Sequence, residues 1–447
     1  MAVRNVRTLN ELIAALDERT SQIAITAAIV SPHDITLSEG VSLKGEGEGA
    51  SLLFSEGGGL GLTRDNHVQS LRLMTNPGSR AIYLRAGVED FGILRIEDLT
   101  VTGQVGLVAR VGCKKGHVAA RNVHVAFADA RAFPEQPQKY GVNVLQGAFT
   151  LFNQNGDANS RLTATLDDIS VGSAAAPVFG SGIFVGGFGD EGGRLEIERL
   201  TTGEVNSTGL LPFGTADFIT GGVFVLYGCK VAELINKAPC RTYGVNDMVL
   251  DNWGTVERWT AQDVIESYGP SGIGFVNFGT VNDFHAEAPI RTYGLGARGF
   301  NQYDGTVKSL RFDSIETFGD GSIGIQISKP VGRIVIDRDV RTHGGTGPSL
   351  VKGVLSTLAA EAFSVKPSGD VERFEVGGDI VTEGDKVDAF TVDGGSVRAV
   401  EIKGTIKAIG ADSKRVRIDN GGGAPDSVRA DDGSRVGSSQ PQPATAK

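Results

Sequence analysis

The chain is 447 residues long, with 63 glycines, 40% hydrophobic and 7% aromatic residues and a net charge of −10. That acidity excludes partners read through their phosphates, since nucleic acids and anionic membranes demand a basic surface. Abundant glycine with this apolar share fits a corner-rich β protein rather than a disordered chain, and no apolar run reaches the length of a membrane-spanning helix.

Thr8-Leu9-Asn10-Glu11 is a capping box. Leu9, Leu12, Ile13 and Leu16 follow at helical spacing, which predicts an amphipathic helix over 8–18. The opening MAVRNVRTLNELIAALDE lacks the apolar core of a signal peptide. The expected location is therefore the cytoplasm, or outside the cell if a leader has been removed. From Gln22 the pattern turns to strands: QIAITAAIV, DITL, GVSLKG, ASLLF. The glycine clusters GEGEGA and GGGLG open no helix and lack the Walker pattern, so they read as corners. Three cysteines, Cys113, Cys229 and Cys240, are an odd number and fit a reducing compartment. The six histidines show no metal-ligand spacing, so no metal and no cofactor is expected.

Between about Ala128 and Gly221 the pattern is irregular. Turn-rich stretches at 130–140, 153–161 and 206–220 are expected to project as loops, where binding sites concentrate. Beyond them a repeat sets in. Five segments, CRTYG, IESYG, IRTYG, IETFG and VRTHG, end in Gly244, Gly269, Gly294, Gly319 and Gly344, each 25 residues after the last. Cys240, Ile265, Ile290, Ile315 and Val340 form an inward column. Thr242, Ser267, Thr292, Thr317 and Thr342 form another. Two columns of opposite parity face out: Arg241, Glu266, Arg291, Glu316, Arg341, and Tyr243, Tyr268, Tyr293, Phe318, His343. Leu250, Phe275, Phe300 and Ile325 repeat inside, and Asn252, Asn277 and Gln302 suit an amide ladder. The closing glycines fit corners that need a permissive backbone. The next comparable corner, Gly384, comes 40 residues after Gly344, a second break.

Stacked units of this size can bury their apolar sides only on one another. The expected fold is all-β: a single-stranded right-handed parallel β-helix over 22–419, with about three short strands per coil. An N-terminal segment, 1–21, would hold the capping helix, and 420–447 would be a disordered tail. The coils, polar ladder and glycine corners resemble the right-handed parallel β-helix proteins of the pectin-lyase-like superfamily. That resemblance is one of architecture and carries no catalytic motif.

Two functions follow as expectations. The resemblance implies a carbohydrate-active enzyme, a glycoside hydrolase, polysaccharide lyase or fructan-type transferase, acting on an oligo- or polysaccharide. The alternative is a non-catalytic repeat protein for assembly or for surface or glycan binding. Glycoside chemistry needs two carboxyl groups on one face. Asp251, Asp304 and, in the loop FGTADF, Asp217 are the candidate catalytic residues. They would act on an outer face between 223–227 and 299–304, covered by the 206–220 loop. Trp253 and Tyr303 would line that face, and Tyr243, Tyr268 and Tyr293 could stack on sugar rings. Arg241, Glu266 and Arg291 could flank a sugar or simply neutralise one another along the stack. The outward aromatic column could equally be a subunit interface, so a homo-oligomer, a trimer, is expected.

Overall fold

The computed structural model describes residues 3–136, 141–351 and 353–428. Strands make up 57% and helix 2%, so the all-β expectation holds and a helical fold is excluded. The chain divides into two compact units, Met1–Gly269 and Pro270–Lys447.

The first unit does not begin with its helix. A short strand, Arg4–Val6, comes first and pairs in parallel with Gln22–Ile25. The helix α1, Leu9–Asp17, follows, and its capping box forms as the sequence predicts. Glu11 N–H donates to the Thr8 hydroxyl, and Thr8 N–H donates to the Glu11 carboxylate. The buried face of α1 is Leu12, Ala15 and Leu16.

Two series of parallel strands then run through this unit. One contains Asp90–Thr102, Lys115–Phe127, Arg161–Val171 and Arg194–Thr208. The last of these pairs with two shorter strands at once, Cys229–Asn236 and Cys240–Thr242. Pro239 lies in the break between them, where a residue without an N–H costs no ladder bond. The other series runs from Leu60–Leu62 through Gln104–Ala109 and Phe218–Val225 to Asp247–Asn252. The 25-residue register is real here: Cys240, Arg241 and Thr242 pair with Ile265, Glu266 and Ser267.

A bulge enters the first series at Glu198. Ala164 opposes Ile197, but Thr165 opposes Arg199, so Glu198 is an extra residue. Glu198 and Arg199 both face out, between buried Ile197 and Leu200. A bulge re-aims side chains in this way without ending the pairing.

The second unit repeats the arrangement. Thr280–Ala286, Thr306–Phe312, Pro330–Ile336 and Asp370–Val376 pair in parallel, as do Ile290–Thr292, Ile315–Thr317, Val340–Thr342 and Ile380–Thr382. Ile273–Asn277, Arg298–Gln302, Ile323–Ile327, Phe363–Val365 and Phe390–Asp393 form the other series. The core is aromatic: Phe275 stacks on Phe284 at 4.1 Å, and Phe363 on Phe374 at 4.1 Å. Each buried ring contributes about 2–3 kcal/mol. The break after Gly344 is an antiparallel hairpin, Thr346–Val351 with Val354–Ala359. It folds back onto the earlier corners, with the Ser349 hydroxyl donating to the Gly296 carbonyl at 2.7 Å. Within each unit these pairings are consistent with a parallel β-helix.

The corner glycines serve a different purpose from the one expected. Gly244, Gly269, Gly294, Gly319, Gly344 and Gly384 all avoid the left-handed region. A Cβ on Gly269 would instead strike the carbonyl of Gly244, and one on Gly344 the carbonyl of Gly319. Close approach between successive corners is what demands glycine. The expected tail begins after the strand Val416–Asp419, and 420–428 forms turns with Val428 buried. Residues 429–447 of that tail, and 137–140 of the 130–140 loop, lie outside the described residues.

Candidate functional site

The residues singled out from the sequence fall into different surroundings. In the first unit the projecting loop narrows to 209–217, because 206–208 and 218–220 belong to strands. Asp217 is exposed at its end, and its backbone carbonyl accepts the Asn143 N–H at 2.6 Å.

Asp251 does not face outward into a groove: it is 0% exposed. The strand Asp247–Asn252 is buried along its whole length. Asp251 pairs with Phe224, which lies in an edge-to-face run through Phe152, Phe184, Phe224 and Trp253 at 5.3–5.6 Å between centroids. Burial pushes the Asp251 carboxyl well above its usual range, partly offset by the Trp253 indole. Neither carboxylate oxygen reaches hydrogen-bond geometry. A sealed acid on an aromatic layer cannot meet a polymeric substrate, so its place in the expected catalytic pair is corrected. Trp253 is buried with it and offers no open platform.

Asp247, four residues earlier, is the better-supported buried acid. It accepts the backbone N–H of Gly244 at 2.7 Å and of Gly209 at 3.1 Å, and the Thr220 hydroxyl. It ties the start of the loop to the corner. Burial still outweighs those bonds and pushes its carboxyl up to about 6.

The columns stack as read, although Glu266 is buried rather than outward. Tyr243 and Tyr268 stack at 5.2 Å and 5°. Arg241 donates to Glu266 at 2.8 Å and to Glu204 at 3.2 Å. Rings stacked face to face present only edges to solvent, which removes the flat platform a sugar would need. In the second unit Tyr293, Phe318 and His343 continue in the same way, at 4.9 and 4.7 Å. Arg291 sits 3.6 Å from Glu316, and His343 is held between Glu316 at 2.9 Å and Glu383 at 2.8 Å. Asp304 is half-exposed with Lys329 at 3.9 Å, and Tyr303 stacks on Phe278 at 4.7 Å.

Two grooves lie elsewhere, one in each unit. That of the first unit, ≈ 470 Å³, is lined by His117, Thr163, Glu196, Glu198 and Lys230 among others. Parallel pairing sets His117 against Thr163, Thr163 against Glu196 and Glu196 against Lys230. His117 Nδ1 lies 2.9 Å from the Thr163 hydroxyl, which fixes the ring. Burial, helped by Arg95, pushes the imidazole pKa down and favours its neutral form. Glu196 and Glu198 lie two apart on the strand, either side of buried Ile197, and so face the same side. The groove of the second unit, ≈ 380 Å³, is lined by Asp283, His285, Ser309, Arg311, Arg333 and Val335. Its arginines carry their own acids: Arg311 donates to Asp337 and Arg333 to Glu375, each at 2.9 Å. That leaves Asp283 as its lining carboxylate.

None of the groove residues of the first unit stood out in the sequence. Thr163, Glu196 and Glu198 fall in the irregular stretch and His117 and Lys230 flank it, so no fixed period aligns one strand with the next. Glu196-Ile-Glu198 was the available signal, as an alternating acid pair in a strand.

Among the described residues, no group of three His, Cys, Asp or Glu is placed to hold a metal ion. No helix there is long and apolar enough to cross a membrane. Comparison with protein-family models, curated proteins and solved structures finds no match to the chain.

Proposed function

We propose that the chain is a single-stranded right-handed parallel β-helix of the pectin-lyase-like kind. We place its chemistry on an oligo- or polysaccharide in the groove of His117, Glu196, Glu198 and Lys230. The observation that carries this reading is the pair of glutamates on one strand face, beside a ring fixed by Thr163. Residues two apart on a strand stand about 6–7 Å apart, close to the roughly 6.5–9.5 Å that inverting glycoside hydrolysis needs between carboxyl groups. One glutamate would protonate the leaving oxygen and the other would activate water. His117, kept neutral, is available as a base, and Lys230 as a donor to sugar oxygens.

A polysaccharide panel read by reducing sugar and by ultraviolet absorbance tests the proposal and separates hydrolase from lyase. Glu196→Gln and Glu198→Gln should each cut turnover by about a hundredfold or more, with folding intact. Parent-like activity in both variants, with a loss in Asp217→Asn, would return the chemistry to the 209–217 loop.

A second reading, a non-catalytic repeat protein, is favoured by the closed aromatic and ion-pair ladders. Half-exposed rings such as Tyr268 suit a lateral contact between copies, with a trimer as the expected assembly. Light scattering that reports a monomer at micromolar concentration would sink it.

A further inference from the structure

A buried cation in the second unit lacks a counter-charge. Arg298 is 1% exposed. Its Nε donates to the Gln326 side-chain oxygen at 3.2 Å. Its Nη2 is sealed from solvent and bonds nothing. No carboxylate of the described residues lies within ion-pair distance of it, and burial pushes its pKa down to about 10. Arginine is almost never buried this far without a partner. Asn301, the register partner of Gln326 on the strand of Arg298, is fully buried, and neither its Oδ1 nor its Nδ2 has a hydrogen bond.

The same strand series shows how this unit treats a buried charge elsewhere. Arg298 pairs with Ile323, and Ile325 pairs with Phe363, so the register puts Glu361 in the column of Arg298, two strands on. Glu361 is 5% exposed. It accepts from Lys366 at 3.1 Å, from Arg417 at 2.7 Å and from the Ser364 hydroxyl. One buried charge is met from three sides by the chain's own groups. The other is met by a single neutral amide.

We infer that Arg298, Asn301 and Gln326 form a binding site for a small hydroxycarboxylate. The donor and acceptor inventory sets that class. A carboxylate accepts from Arg298 Nη2 and from Asn301 Nδ2, which gives charge-assisted bonds. Asn301 Oδ1 then needs a donor, which a neighbouring hydroxyl on the ligand supplies. Gln326 holds the guanidinium in place from behind. The groups are buried, so the ligand enters only through local opening of the unit. Unmet donors at this depth favour any conformation that admits an anion. The site is separate from the glutamate groove and does not depend on it.

The test is thermal unfolding of the full chain in glycolate, acetate or neutral glycolamide, with ionic strength held constant by chloride. Glycolate should raise the melting temperature saturably, by about 2–4 °C for a unit of this size. Acetate should do less and glycolamide nothing. Arg298→Met should abolish the response to both anions, whereas Asn301→Leu should remove only the advantage of glycolate over acetate. If Arg298→Met does not fold, hydrogen exchange of the wild type decides, with glycolate expected to slow exchange over 298–302. A melting temperature that follows ionic strength alone, with exchange over 298–302 unchanged, overturns the site. The counter-charge would then come from the chain itself.

Discussion

The two units solve the same packing problem with different unmet charges inside. The first buries acids, Asp247 and Asp251, at 0% exposure. The second buries a base, Arg298, without a counter-charge, buries one acid, Glu361, only against Lys366 and Arg417, and keeps acids such as Glu375 near the surface, held by arginines. Strand geometry is shared, so the difference lies in which side chain each column carries inward. Its consequence is that acid should act on the two units in opposite directions.

The largest effect is expected from pH. Burial raises the folded-state pKa of Asp247 to about 6, above its unfolded value. Its contribution to stability is therefore full below about pH 4 and is lost as pH rises through 6, about 3 kcal/mol in all. Asp251 shifts in the same direction. Glu375 behaves oppositely. Its bonds from Arg333, with Arg373 adding, hold its carboxyl down to about 2. That stability is present above about pH 4.5 and is lost as pH falls toward 2, and for a largely solvated pair it amounts to about 1 kcal/mol or less. Hydrogen exchange at pH 8 and pH 5, corrected for intrinsic rates, should show the first unit gaining protection and the second unchanged. Protection of the first unit that stays flat or falls would break the contrast.

Asp251→Leu sharpens the contrast at one residue. It removes a buried acid with no partner and keeps the shape, so it should stabilise the first unit at pH 8 by about 1–3 kcal/mol. The gain should shrink as pH falls, because burial raises the Asp251 carboxyl and its protonation removes the buried charge. Chemical denaturation reads both. A loss of stability at pH 8 would mean that the carboxylate has a partner or a task.

The smallest effect concerns the outward ladder, which both units share. Glu266→Arg sets a like charge beside Arg241, and Glu316→Arg does the same beside Arg291. Glu316→Arg should lower stability by about 1 kcal/mol or less, more at low salt than at high, and Glu266→Arg, at a buried position, by more. A melting temperature that is unchanged at low salt would take the ladder out of the account of stability.

Where a period existed, the register was legible from residue types alone. The pairing of Cys240 with Ile265, and of Ile290 with Ile315, follows from a count of 25. The capping box of α1 was legible because it is local, spanning Thr8 to Glu11. The strand Arg4–Val6 was not, because three residues carry too little pattern and its partner lies beyond the helix. Asp251 shows the main failure. A period-2 pattern places it opposite Leu250 and so on the outside. Both faces of that strand are covered, however, and cover comes from parts of the chain distant in sequence. The glutamate groove was missed for a related reason, since its residues meet across pairings of uneven spacing.

The sequence by itself therefore determined the class of fold, the repeat and the inward columns, because those rest on local alternation and a constant step. Only the tertiary structure decided which outward positions stay wet, which glycines answer to a neighbouring carbonyl, and which charges stand alone. Those properties depend on what lies across from a side chain, and no spacing along one chain records that.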